Sequence, residues 1–140
     1  MTTLKSLPEI TAVLANWLSA QPLDDLPEIS GVFVYGPERF LLPAETQIKI
    51  QLGSSNAALA SLADWAEHLD TTVTATRARS SSNTFAAIST ATEDNHGITL
   101  WNLLDTDAQI ALATRRIHVL PDEPLEITLA QLRAASGHAA

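Results

Sequence analysis

The six residues Gln47-Ile48-Lys49-Ile50-Gln51-Leu52 alternate without a break between polar and apolar. Side chains along a strand point to opposite faces with a period of two, so Ile48, Ile50 and Leu52 share one face and Gln47, Lys49 and Gln51 the other. A strand of this kind is half-exposed and belongs to a sheet that buries one face and shows the other to solvent. The cover for the buried face has to come from segments with a single apolar stripe, and the chain holds two of them.

The first opens on Ser6-Leu7-Pro8-Glu9, the Ser-x-x-Glu form of a capping box with proline in the first turn. Leu7, Ile10, Leu14 and Trp17 then recur at helical spacing with Leu18 beside them, and Pro22 limits the run, which predicts a helix over 7–20. The second follows the break Gly53-Ser54-Ser55-Asn56. Its stripe of Ala58, Leu62, Trp65 and Leu69 predicts a helix over 56–69. Leu14-Ala15-Asn16-Trp17 and Leu62-Ala63-Asp64-Trp65 echo one another. Duplication of an α-β-β unit explains the echo, and so does coincidence between two amphipathic helices.

Between and after the helices lie short strand-like runs. Residues 31–35, Gly-Val-Phe-Val-Tyr, read as a buried strand with apolar side chains on both faces. Threonine-rich residues 72–79, residues 84–91 and residues 98–103 read as three further strands. The turn Ser80–Asn83 and the polar loop 93–97 join them into a meander. Beyond 104 a helix from Asp105 or Thr106 to Ala113, a strand at 116–120 and a short helix at 129–135 are all compatible with the pattern. The order α-β-β-α-β-β-β predicts an α+β fold: an antiparallel sheet with helices packed on one face and a mixed C-terminal tail. The length of 140 residues suits one domain, taken as 1–136, with 137–140 frayed.

Motifs that carry chemistry are missing. There is no cysteine, which removes disulfides, thiolate metal sites and thiol nucleophiles. There is no Gly-x-Ser-x-Gly elbow, no phosphate loop and no dinucleotide fingerprint, and no cofactor is implied. Asp64 and His68 stand at i, i+4, a spacing that serves a hydrogen bond or two ligands of a metal, and equally an ordinary solvated helix face. Glu93, Asp94 and His96 share a loop that lacks the spaced acids of a calcium site and reads as a polar hairpin tip. His118 reads as a core or edge histidine and His138 as part of the tail. No catalytic or metal-binding residue is assigned, and an enzyme is the less favoured reading.

Charge narrows the partners. The formal net charge is −8, with nine acids and three bases in residues 1–70. Such a field repels phosphate backbones and anionic lipids, which argues against nucleic acid and membranes. Arg77 and Arg79 share one strand face, and with Arg115 and Arg116 they could form a local basic patch beside Phe85 and Trp101. The opposing reading is that these arginines pair with acids or face solvent. Asp24, Asp25, Glu28, Glu38 and Glu45 gather in loops around the first two strands and form the candidate partner-binding residues, suited to a basic protein. Apolar faces and open strand edges point to self-association, most simply as a homodimer.

The helix Leu62-Ala63-Asp64-Trp65-Ala66-Glu67-His68-Leu69, the threonine-rich strands after it and Gly97-Ile98-Thr99-Leu100-Trp101 resemble small α+β proteins of actinobacteria and their phages over roughly residues 56–103. The resemblance implies an intracellular setting and a mobile-element context, and it transfers no site residue. With no apolar run of membrane-spanning length and no signal-peptide pattern at Met1–Ser6, a cytoplasmic location is the expectation. The functional expectation is a non-enzymatic protein-interaction or assembly protein. The alternative is a small-ligand or catalytic domain with a pocket between sheet and helices.

Overall fold

The computed structural model describes residues 5–36, 46–53, 58–77 and 83–137. Helix α1 covers Leu7–Ser19. The Glu9 carboxylate accepts from the Ser6 amide at 3.2 Å and the Ser6 hydroxyl at 2.7 Å, tying down the start of the helix. These bonds hold the Glu9 carboxyl below its usual range. A short 3₁₀ turn, Leu23–Asp25, leads into β1 (Ile29–Val34), which pairs antiparallel with β2 (Ile48–Leu52). Helix α2 (Ala58–Leu69) follows, then β3 (Val73–Arg77), β4 (Thr84–Ala91) and β5 (Gly97–Leu104). Helix α3 (Thr106–Thr114), strand β6 (Leu125–Ile127) and helix α4 (Leu129–Ala135) are the last described elements. Asp105 caps α3 by accepting from the Ala108 amide at 2.8 Å, and Thr128 and Gln131 form a capping box at α4.

The six strands form one sheet in the order β1-β2-β5-β4-β3-β6. The β3-β4-β5 meander is antiparallel as its turns require, and β6 adds antiparallel to β3. One pairing departs from an all-antiparallel sheet: β2 and β5 run parallel, with Ile48 beside Ile98 and Ile50 beside Leu100. The crossover through α2, β3 and β4 brings β5 back beside β2 in the same direction, as a connection of that length permits.

All the fully buried strand residues lie on one face: Ile48 and Ile50 of β2, Val73 and Ala75 of β3, Ile88 of β4, Ile98 and Leu100 of β5 and Ile127 of β6. The helices supply the other half of the core through Ile10, Leu14, Leu62, Trp65, Leu112 and Leu132. The two echoing tryptophans meet there: Trp17 and Trp65 stack at 6.2 Å, and the Trp65 indole donates to the Pro27 carbonyl at 3.1 Å. Arg133 of α4 pairs with Asp64 at 2.6 Å and Glu67 at 2.7 Å, joining α4 to α2.

Further details depart from the sequence reading. The strand expected buried at 31–35 is an edge strand that starts at Ile29. With no described strand on its outer side, Val32 and Phe33 stay 44% and 43% exposed. Gln47, placed on the solvent face by alternation, is buried because it stands before β2 begins. Its amide accepts from the Lys5 amide at 3.0 Å and donates to the Lys5 and Tyr35 carbonyls at 2.7 and 3.1 Å. Residues 117–120 form no strand; Arg116 turns the chain with φ of +62°, and only an isolated bridge joins Pro121 to Arg77. Strand β6 has no counterpart in the sequence reading. Residues 56–57, 78–79 and 138–140 of the expected helix, strand and tail lie outside the described residues.

Candidate functional site: the bare face of the sheet

The helices all serve one face, and no described element packs on the other. The strand register arranges that second face in three rows. Phe33, Lys49, Thr99 and Ser89 form the first, across β1, β2, β5 and β4. Gly31, Gln51, Trp101, Ala87, Thr74 and Glu126 form the second, from one edge of the sheet to the other. Leu103, Phe85 and Thr76 form the third.

A sheet face that meets only water is normally polar. This one carries Phe33, Phe85, Trp101 and Leu103 among its threonines, with Tyr35 just beyond the end of β1. Phe33 and Phe85 are 43% and 42% exposed. Phe85 and Trp101, on adjacent strands, have ring centroids 5.8 Å apart in a tilted arrangement. The Lys49 ammonium lies 5.6 Å from the centre of the Tyr35 ring. Together Phe33, Tyr35, Lys49, Phe85, Thr99 and Trp101 line a depression of about 360 Å³. The signal in the sequence is a single aromatic on the outward phase of each of three strands, Phe33, Phe85 and Trp101. Sequence reasoning names Phe85 and Trp101 only as stacking surface beside an arginine patch and places Phe33 in a buried strand.

Lys49 and Glu126 are the charged side chains that the described strands place on this face, although the chain as a whole carries −8. The acids sit elsewhere. Asp24 and Asp25 are exposed in the 3₁₀ turn and Glu28 is exposed just before β1. This link runs on the helix side, where the Pro27 carbonyl meets Trp65. Glu38 and Glu45, the other two candidate partner-binding residues, lie outside the described residues.

The polar constellations singled out in the sequence do not assemble. Asp64 turns to Arg133, and His68 meets Gln21 at 2.8 Å. In the loop after β4, Asp94 accepts from the Thr92 hydroxyl and stands 4.0 Å from Lys5, while His96 is buried. Burial pushes the His96 imidazole below its usual range, against the pull of Asp94, and its Nδ1 is buried without a hydrogen-bond partner. No group of three metal-ligating side chains occurs among the described residues. His118, expected in the core or at an edge, is exposed in the segment after α3. Arg77 points to the helix side and Phe85 to the bare face, so a joint basic and aromatic patch does not form. Arg79 lies outside the described residues, and Arg115 and Arg116 are exposed past the end of α3.

No described helix is long and apolar enough to cross a membrane. No family model, curated protein or solved structure matches the chain.

Proposed function

We propose that the chain is a non-enzymatic assembly protein that covers the bare face of its sheet with a second copy of itself. The observation that carries this reading is the aromatic set of exposed Phe33 and Phe85 and half-buried Trp101 on a face that no described element covers. Full burial of such a side chain is worth roughly 1.5–3 kcal/mol, and with Phe33 43% and Phe85 42% exposed somewhat under half of that is still to be gained at each; aromatic residues of this kind are the usual anchors of protein interfaces. Rows of four, six and three residues, with strands about 4.8 Å apart and same-face residues about 6.7 Å apart along each strand, give a patch of roughly 400 Å² in projection. Side-chain relief raises its accessible area toward the roughly 800 Å² that each partner contributes to a standard interface.

This face holds one base and one acid, so it offers a basic protein no field to dock on and leaves a second copy unopposed at the contact itself, although two chains of −8 repel at long range. Lys49 on β2 and Glu126 on β6 lie on either side of the Trp101 and Phe85 strands. A two-fold axis running along β4 sets each copy's Lys49 over the other's β6 and its Glu126, with the Phe85 and Trp101 pairs packed between. The acidic turn at Asp24, Asp25 and Glu28 then stays outside, on the helix side, where a basic partner could dock on the assembled dimer.

Light scattering from 1 to 200 μM tests the reading. The wild-type chain is expected to be a dimer in that range. K49E is expected to weaken it at least tenfold by opposing carboxylates, and K49E/E126K to restore it. A wild-type chain that stays monomeric at 200 μM, or a dimer indifferent to K49E, overturns it.

A further inference from the structure

The sheet ends in two edges that differ. Strand β6 closes one of them with three residues, Leu125–Ile127, behind Pro124 and with Glu126 exposed. A short strand, a proline and a charge each discourage another strand from adding there. Strand β1 at the other edge runs for six residues, Ile29–Val34, with neither charge nor proline among them. Its backbone groups turn outward at defined positions. The Tyr35 amide donates to the Gln47 carbonyl at 2.9 Å, so Tyr35 and, two residues back, Phe33 direct their backbone groups to β2. Val32 and Val34, in the opposite phase, direct theirs to the outer side, where no described strand meets them.

The side chains of this edge suit a copy of itself. Val32 on the helix side and Phe33 on the bare side are 44% and 43% exposed, so both flanks of the edge are apolar. Gly31 shares the bare side with Phe33, and a Cβ built on it would stand 3.7 Å from the Phe33 ring. The ring therefore leans back along its own strand over the space that Gly31 leaves. Two β1 strands set antiparallel about Val32 exchange backbone bonds at Val32 and place each Phe33 opposite the other copy's Gly31. Opposed residues of this non-hydrogen-bonded kind have Cα atoms about 4.5 Å apart, and the two rings then lie side by side where larger residues at 31 would crowd them. Glu28 falls near the second copy's Gly36, so like charges do not meet along the seam. The bulge between Ile29 and Gly31 limits regular pairing to the residues around Val32 and keeps the contact weak.

We propose that the outer edge of β1 pairs antiparallel with β1 of a second copy, centred on Val32. The contact uses a different surface from the bare-face dimer and does not rest on it. A two-fold axis along β4 leaves β1 at the flank of the face-to-face pair, so the two contacts together join dimers end to end. A foreign strand with a side chain where Gly31 stands would crowd the Phe33 ring, which is why the occupant is a second copy.

Light scattering of the full chain from 0.2 to 2 mM, in 300 mM salt to screen its charge, tests the proposal. The wild-type mass is expected to climb above that of a dimer over this range. V32K, checked for folding by circular dichroism, sets two ammonium groups against each other at the centre of the seam. It is expected to weaken this added association at least tenfold and to leave the bare-face dimer intact. Should the bare-face contact fail, a chain that is monomeric at 200 μM and pairs by 2 mM only with Val32 in place still supports the edge contact. A mass that does not climb between 0.2 and 2 mM, or a climb indifferent to V32K, overturns the proposal. Amide exchange followed by NMR reads the strand itself, and the Val32 amide is expected to exchange more slowly at 2 mM than at 0.1 mM. Should V32K fail to fold, a wild-type Val32 amide that exchanges equally fast at both concentrations overturns the proposal.

Discussion

Thr92, Asp94 and His96 show how much one short loop can hold. The Thr92 hydroxyl donates to Asp94 and its oxygen accepts the His96 amide at 3.0 Å, which fixes the turn and tucks the imidazole inside. The sequence marked this loop as a polar tip, because its residue types are those of any exposed turn and nothing local says that the histidine folds inward. Burial changes what that histidine does. With its folded pKa lowered, His96 binds its proton more readily in the unfolded chain, so stability is full above the ordinary histidine pKa of about 6.5 and is lost as pH falls through the folded value. The urea midpoint is expected to drop between pH 7 and pH 5, and H96L is expected to flatten that slope. A slope equal in both chains would show that other groups govern it. Trp65 makes a second prediction. It is fully buried and its indole bonds to Pro27, so W65F should lose about 1–3 kcal/mol in chemical denaturation through a smaller side chain and an unanswered carbonyl.

Among the elements, α1, α2, β2 and the meander strands were legible because each signal is local. A capping box, a stripe at helical spacing or a strict alternation is complete within a dozen residues. Strand β6 was not, since three residues whose partners lie some fifty positions earlier carry no periodicity. The parallel pairing of β2 and β5 was hidden for the same reason, as it depends on which strand returns and on nothing inside either strand. The Arg133 bridge belongs to this class. It joins the last helix to α2 across 66 and 69 positions, and its partners raise the Arg133 pKa, with Asp64 the larger influence. Because both acids keep substantial contact with water, R133M is expected to cost only about 0.5–1 kcal/mol, and the loss should shrink in 1 M salt. A larger loss independent of salt would mean that the aliphatic stem, packed between the helices, matters more than the charge.

At the scale of the molecule, the division into a covered and a bare face was readable from β2 alone, whereas the aromatic character of the bare face needed the register of β1, β4 and β5. The overall charge gives the assembly a distinctive salt response. Two chains of −8 resist each other at long range, so screening should strengthen the contact, the relief of that repulsion outweighing the weakening of the two Lys49–Glu126 pairs. The dimer is expected to tighten between 20 and 300 mM salt, and the thermal midpoint to rise with protein concentration at either salt. Complexes built on acidic–basic attraction do the opposite and weaken as salt rises.

The parallel seam also sets a timetable for synthesis. β1 and β2 can pair soon after Leu52 is made, but the neighbour of β2 on its other side is β5, which ends at Leu104. At 5–20 residues per second the ribosome needs about 3 to 10 seconds to deliver it. Through that interval Ile48, Ile50 and Leu52 belong to an unfinished two-stranded ribbon with an open inner edge. The first half of the chain carries nine acids against three bases, and like charge of that density opposes the approach of such ribbons on neighbouring chains in that interval.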